Sequence, residues 1–116
     1  MRTPSVRMEE TGSEVRVLAF DGELDISRYP EFRQQFERER VDGNGPVLID
    51  LSKASYVDST FLSEILFFVR GLKRAGRRAA VLSSPAAVAR IFALADLDER
   101  VAVFANREDA LQTLAP

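Results

Sequence analysis

Two short stretches hold most of the chemistry this sequence offers. Asp21-Gly22-Glu23-Leu24-Asp25 sets three carboxylates close together, and Val57-Asp58-Ser59-Thr60 sets one carboxylate ahead of two hydroxyls. Carboxylates at strand ends can ligate a divalent cation for phosphoryl transfer, and a serine beside a base can act as a nucleophile. Both chemistries lack their other components. Receiver-type phosphoryl transfer needs a lysine just beyond the last strand and an acidic pair after the first parallel strand, whereas the chain offers Asn106-Arg107 there. The chain has no histidine and no cysteine, and neither Lys53 nor Lys73 can be set beside Ser59 as a base, so a Ser-His-Asp hydrolase is excluded. Gly43-Asn44-Gly45-Pro46 lacks the Gly-Lys-Ser/Thr ending of a phosphate loop and precedes a strand instead of a helix. Two readings remain for each stretch: the acidic one is a solvated turn rim or part of a site, and Asp58 is a helix cap or the neighbour of a functional serine.

The elements that position these residues follow from periodicity. Residues 14–20 alternate Val15, Val17 and Ala19 against Glu14, Arg16 and Leu18, which predicts a strand buried mainly on one face. Ser5 to Glu9 is a weaker strand, and Thr11-Gly12-Ser13 suits a turn, so the chain is expected to open with an antiparallel hairpin. From Ser27 the spacing becomes helical, with Phe32 and Phe36 on one face, Ser27 as the cap and Pro30 in the first turn. Asp42 to Pro46 stops that helix. Val47 to Leu51 reads as a central strand, followed by a helix from Ser59 to Ala75 and a strand from Ala79 to Leu82. Pro85 to Ala95 reads as a helix, Val101 to Phe104 as a last strand and Arg107 to Leu114 as a closing helix. The alternation predicts an α/β domain: a mixed four- to five-stranded sheet with about four helices.

At 116 residues the chain is expected to be one domain spanning 1–116, with its core at about 14–115. Hydrophobic residues make up 46% and charged residues 29%, a globular balance. A net charge of −2 gives no electrostatic reason to expect a nucleic acid or an anionic membrane as partner. The apolar runs are too short to span a membrane and the N-terminus is charged, so a cytoplasmic protein without membrane insertion is expected.

Taken in order, Gly22-Glu23-Leu24-Asp25, a helix, Val47-Leu48-Ile49-Asp50-Leu51-Ser52, and Tyr56-Val57-Asp58-Ser59-Thr60 followed by Leu62 resemble the STAS domain family, in particular bacterial anti-sigma factor antagonists. The resemblance runs from about Val15 to Leu114 and implies a STAS-like fold with no cofactor and no catalytic activity of its own. It further implies that Ser59 is phosphorylated by an anti-sigma factor that is a serine kinase, with Thr60 at most a minor site, and that a serine phosphatase resets the protein. Asp25 and Asp58 match the family's acidic neighbours of the serine. The chain departs at Phe61, where the family usually carries glycine; that ring either joins the core or narrows access to Ser59. The other reading of the resemblance is an assembly subunit, in a stress-signalling scaffold or a lipid-transport complex, with no phosphorylation cycle.

On the helix that starts at Ser59, the positions Phe61, Leu62, Ile65, Leu66, Val69 and Leu72 fall within an arc of about 140° and form one apolar stripe. Phe67 falls on the opposite side, near Ser63, Arg70 and Arg74. A single exposed aromatic needs no cause. The alternative is an anchor for a docking partner with the arginines at its rim, since aromatics and arginine are enriched at interface hot spots.

Overall fold

The computed structural model describes residues 6–9, 14–83 and 102–114. Its main sheet has five strands in the order β1-β2-β4-β6-β7: β1 (Val6–Glu9), β2 (Arg16–Phe20), β4 (Val47–Asp50), β6 (Ala79–Leu82) and β7 (Ala102–Phe104). The central strands are mainly Val, Leu, Ile, Ala and Phe, as burial on both faces requires, with Arg16 at the start of β2 and Asp50 at the end of β4. Pairing is parallel from β2 through β7, with Leu18 opposite Ile49 and Ile49 opposite Val81. β1 runs antiparallel to β2, with Val6 opposite Phe20; the turn expected at residues 11–13 lies outside the described residues.

Alternate side chains of the parallel strands feed two cores. Leu18, Phe20, Val47, Ile49 and Val81 join the helices α1 (Tyr29–Asp42) and α2 (Ser59–Arg74), while Val17, Leu48, Ala80 and Leu82 meet Ala110 and Leu114 of α3 (Arg107–Leu114). The strand expected to be buried on one face is therefore buried on both, from Val17 to Phe20. Leu18 belongs to the larger core because helices cover each side of β2. Three α-helices stand among the described residues against about four expected, and the helix expected over 85–95 lies outside them.

A second sheet was not expected. β3 (Gly22–Leu24) and β5 (Ala54–Val57) form a two-stranded parallel ribbon. Gly22 pairs with Ala54 and Glu23 with Tyr56, so the ladder skips a residue at a point where Gly22 takes φ 85°, a conformation open to glycine at little cost. The ribbon is the bridge from the main sheet to the starts of both large helices.

Five phenylalanines fill the space between α1, α2 and β2. Phe61 packs on Phe20, Phe32 and Phe36 with ring centroids 5.4, 4.8 and 6.0 Å away, and Phe68 lies 4.7 Å from Phe36. The buried stripe of α2 is Phe61, Leu62, Ile65, Phe68, Val69 and Leu72, with Leu66 only partly buried. Phe68 replaces Leu66 because α1 packs alongside and turns the stripe toward Phe36.

Charged residues secure the far end of this layer. Glu39 is 4% exposed and its carboxylate accepts from Arg16 Nε at 2.7 Å and Arg77 Nη2 at 2.8 Å. Arg77 also donates to the carbonyls of Gly45 and Glu39, so one buried cluster ties β2, α1 and the turn after α2. On the other face, buried Asp50 accepts from Ser52 N at 2.9 Å and from Arg107 Nη1 at 3.3 Å, which fastens the start of α3 to the end of β4.

Candidate functional site

The two chemistry-bearing stretches meet through the β3–β5 ribbon. Leu24 and Val57 are register partners, and the Asp58 amide donates to the Leu24 carbonyl at 3.1 Å. Asp25 and Asp58 are the next residues on the two parallel strands, so the chain leaves the ribbon at both places side by side. Each aspartate then starts a helical element. Asp25 Oδ1 accepts from the Ser27 amide at 3.0 Å and from the Ser27 hydroxyl, capping a 3-10 turn (Ile26–Arg28) that leads into α1. Asp58 Oδ1 accepts from the Phe61 amide at 2.9 Å and caps α2. Ser27, the expected cap, does not cap α1: that helix has Arg28 at its N-cap with no side-chain hydrogen bond, and the capping carboxylate lies upstream on Asp25, which caps the 3-10 turn and bonds Ser27 itself.

Capping by Asp58 releases Ser59 from that duty. Ser59 is the first residue of α2 and exposed, whereas Thr60 is partly buried. The amides of Ser59 and Thr60 lie in the first turn, where an α-helix leaves N–H groups without intrahelical acceptors and its dipole favours an anion. Phe61 is 2% exposed and belongs to the core, which settles the two outcomes open for that departure: the ring points inward while Ser59 points to solvent. Among the described residues no group of three acidic side chains is gathered to hold a metal ion.

Further along α2, Ser63 is exposed and Phe67 is 64% exposed. Phe67, Arg70 and Arg74 line a groove between α1 and α2; Ser63 is not among its lining residues. Sequence reasoning missed the opposite wall, Arg33, Glu37 and Arg40. Their spacing by four and three residues on the polar side of α1 was the available signal. Arg40 bonds Glu37, and this hydrogen bond, ahead of the weaker Coulomb pull of Arg40 and Arg33, holds the Glu37 carboxyl below the ordinary carboxylate range. Also missed were Tyr56 on β5, 51% exposed, and Ile26, 67% exposed, on the elements bordering the two caps. No described helix is long and apolar enough to cross a membrane.

The fold is that of a STAS domain. The chain belongs to the STAS domain family, whose profile matches residues 5–110. Among solved structures it is similar to an anti-sigma factor antagonist from Mycobacterium paratuberculosis, with 22% identity, a TM-score of 0.89, and coverage of 97% of this chain and 94% of the other. It is also similar to the anti-sigma factor antagonist SpoIIAA in its unphosphorylated form (19% identity, TM-score 0.69, 94% of this chain and 96% of that one). The phosphorylated form of the Bacillus cell fate determinant SpoIIAA aligns at 20% identity and TM-score 0.70, over 94% of this chain and 98% of that one. At these identities the likeness is one of fold. No curated protein matches the chain.

Proposed function

We propose that this protein is an anti-sigma factor antagonist whose activity is switched at Ser59. Unphosphorylated, it binds an anti-sigma factor that is a serine kinase and so frees a sigma factor; phosphorylation at Ser59 ends that binding, and a serine phosphatase restores it. The observation that carries this reading is the exposed Ser59 at the first turn of α2, directly after the Asp58 cap, which follows Val57 as Asp25 follows its register partner Leu24. In this role the chain is a substrate and a binder, acts in the cytoplasm and needs no cofactor. A phosphate adds about −1.5 to −2 charge, which first-turn amides stabilise, so folding is kept. A partner seated over the same surface meets a hydrated dianion next to two carboxylates, so binding is lost. Thr60 is at most a minor acceptor, since it is less exposed than Ser59. Ser63, Phe67, Arg70 and Arg74 extend the partner surface along α2.

The test incubates the purified chain with ATP and a serine-kinase anti-sigma factor from the same cell, maps phosphate by mass spectrometry, and measures binding of variants. Phosphate on Ser59, a Ser59→Ala chain that binds constitutively, and a well-folded Ser59→Asp chain that binds weakly are the expected results. No phosphate from a kinase active on another substrate, or phosphate only elsewhere, refutes the switch and leaves an assembly subunit of a scaffold or lipid-transport complex.

A further inference from the structure

The groove between α1 and α2 has a chemistry of its own. Arg33, Glu37 and Arg40 form one wall and Phe67, Arg70 and Arg74 the other. Gly71 keeps the walls close: a Cβ there would lie 3.1 Å from Arg40 Cδ. Within the groove Arg40 is engaged by Glu37, and Arg33 donates to Tyr29 Oη at 2.7 Å. The side chains of Arg70 and Arg74 make no hydrogen bond or ion pair with another described residue, and between them and Glu64 stands the exposed ring of Phe67.

This composition selects among occupants. A second copy of the chain docking by a two-fold axis on this groove would set arginines against arginines. A nucleic acid is disfavoured on a chain of net charge −2. An acidic segment with an apolar face satisfies both Arg70 and Arg74, unpaired among the described residues, and the exposed ring, and a trough between two packed helices is shaped for a third. We propose that the α1–α2 groove binds an acidic amphipathic helix of a partner protein, an apolar side chain resting on Phe67 and carboxylates reaching Arg70 and Arg74. The proposal rests on the reading of the α2 face as a partner surface and adds what covers it.

It also adds a property. Phe67 and Arg70 follow Ser59 by eight and eleven residues, which at 1.5 Å per residue is about 12 and 16 Å along the axis. Exposed charges are largely screened beyond about 8 Å at physiological salt. A phosphate on Ser59 therefore acts on the contact at the helix start and leaves the groove's own affinity for the helix unchanged; for a partner using both, losing the helix-start contact is what ends tight binding.

The test titrates the isotope-labelled full chain with a synthetic helical peptide of glutamates and leucines, reading amide and side-chain shifts by NMR. Parallel titrations use the same peptide with lysine for glutamate, an oligothymidylate, and phosphatidylglycerol vesicles. The expected result is saturable shifts centred on Phe67, Arg70 and Arg74 with the acidic peptide alone. The double variant Arg70→Glu, Arg74→Glu should weaken it about tenfold or more, and Ser59→Asp should change it by less than about twofold. Absent or scattered shifts, equal binding of the lysine peptide, or tighter binding of oligonucleotide or vesicles at these residues overturns the assignment. Strong weakening by Ser59→Asp overturns the independence from phosphate. No kinase takes part, so failure here leaves the Ser59 switch standing, and failure of phosphorylation leaves the groove standing.

Discussion

Replacing Phe61 by alanine isolates what the departure from glycine contributes. The ring is 2% exposed and touches three other phenylalanines, with T-shaped approaches to Phe20 and Phe32. Deleting a buried phenylalanine costs about 3–5 kcal/mol from lost burial and the residual cavity, and edge-to-face pairs contribute about 0.5–1.5 kcal/mol each within such losses. The upper half of that range is expected, because the cavity is walled by β2, α1 and the α2 backbone and cannot close without moving one of them. Against a total stability of about 5–15 kcal/mol this is a large fraction, and it lowers Tm by roughly 10–25 °C. Urea unfolding followed by circular dichroism gives the measurement, with an unchanged slope showing that the same surface is exposed. Phe61→Leu, which refills much of the space, should recover more than half of the loss. A Phe61→Ala chain within about 1 kcal/mol of the parent would refute the placement of the ring in the core and return it to the surface beside Ser59.

Other substitutions probe the caps and the charged cluster. Asp58→Ala should cost about 1 kcal/mol in urea unfolding, and Asp58→Asn much less, because the amide oxygen can still accept from Phe61 N. Glu39→Ala leaves the nearly buried Arg77 without its carboxylate and should cost about 3–5 kcal/mol by the same measurement. Gly43→Ala would place a methyl 1.8 Å from Glu39 Oε2 and 2.7 Å from its carbonyl oxygen, so it should destabilise by about 1–3 kcal/mol although its φ of −88° suits alanine. The Glu37 carboxyl, held below the ordinary range by Arg40, contributes above its unfolded-state pKa and loses that contribution as pH falls through its lowered folded value. In Arg40→Ala it should titrate in the ordinary range, as a carbon-detected NMR pH titration will read.

The parts of the fold that were legible in the sequence are those with a long or unmixed hydrophobic pattern. β6 is a short all-apolar run and β4 is one up to Asp50, and α2 repeats its apolar positions over sixteen residues. The ribbon was not legible for definite reasons. β3 is three residues with a glycine, and β5 is buried only at Ala54 and Val57, so neither shows alternation, and their pairing spans a whole helix and strand of intervening chain. Ser27 was the cap that residue type suggested, but type alone does not say that a 3-10 turn intervenes and that Asp25, two residues earlier, caps it. Phe68 in place of Leu66 shows the limit of a helical wheel: it fixes the width of the stripe, while the neighbouring helix fixes its centre. The Ser59 neighbourhood was legible because Asp58 precedes it, whereas the wall supplied by α1 depends on how two helices lie together.

The β3–β5 ribbon has a consequence for local opening. Among the described residues its strands are hydrogen-bonded as a ladder to each other and belong to no wider sheet. A two-stranded ladder is weak on its own, and this one is held through Leu24, Ala54 and Val57, which are buried in the same core as the phenylalanines. Because Asp25 and Asp58 both continue directly from this unit, one opening event unseats both caps together. The start of α2 thus opens only when the burial of Leu24, Ala54 and Val57 is given up along with the two caps.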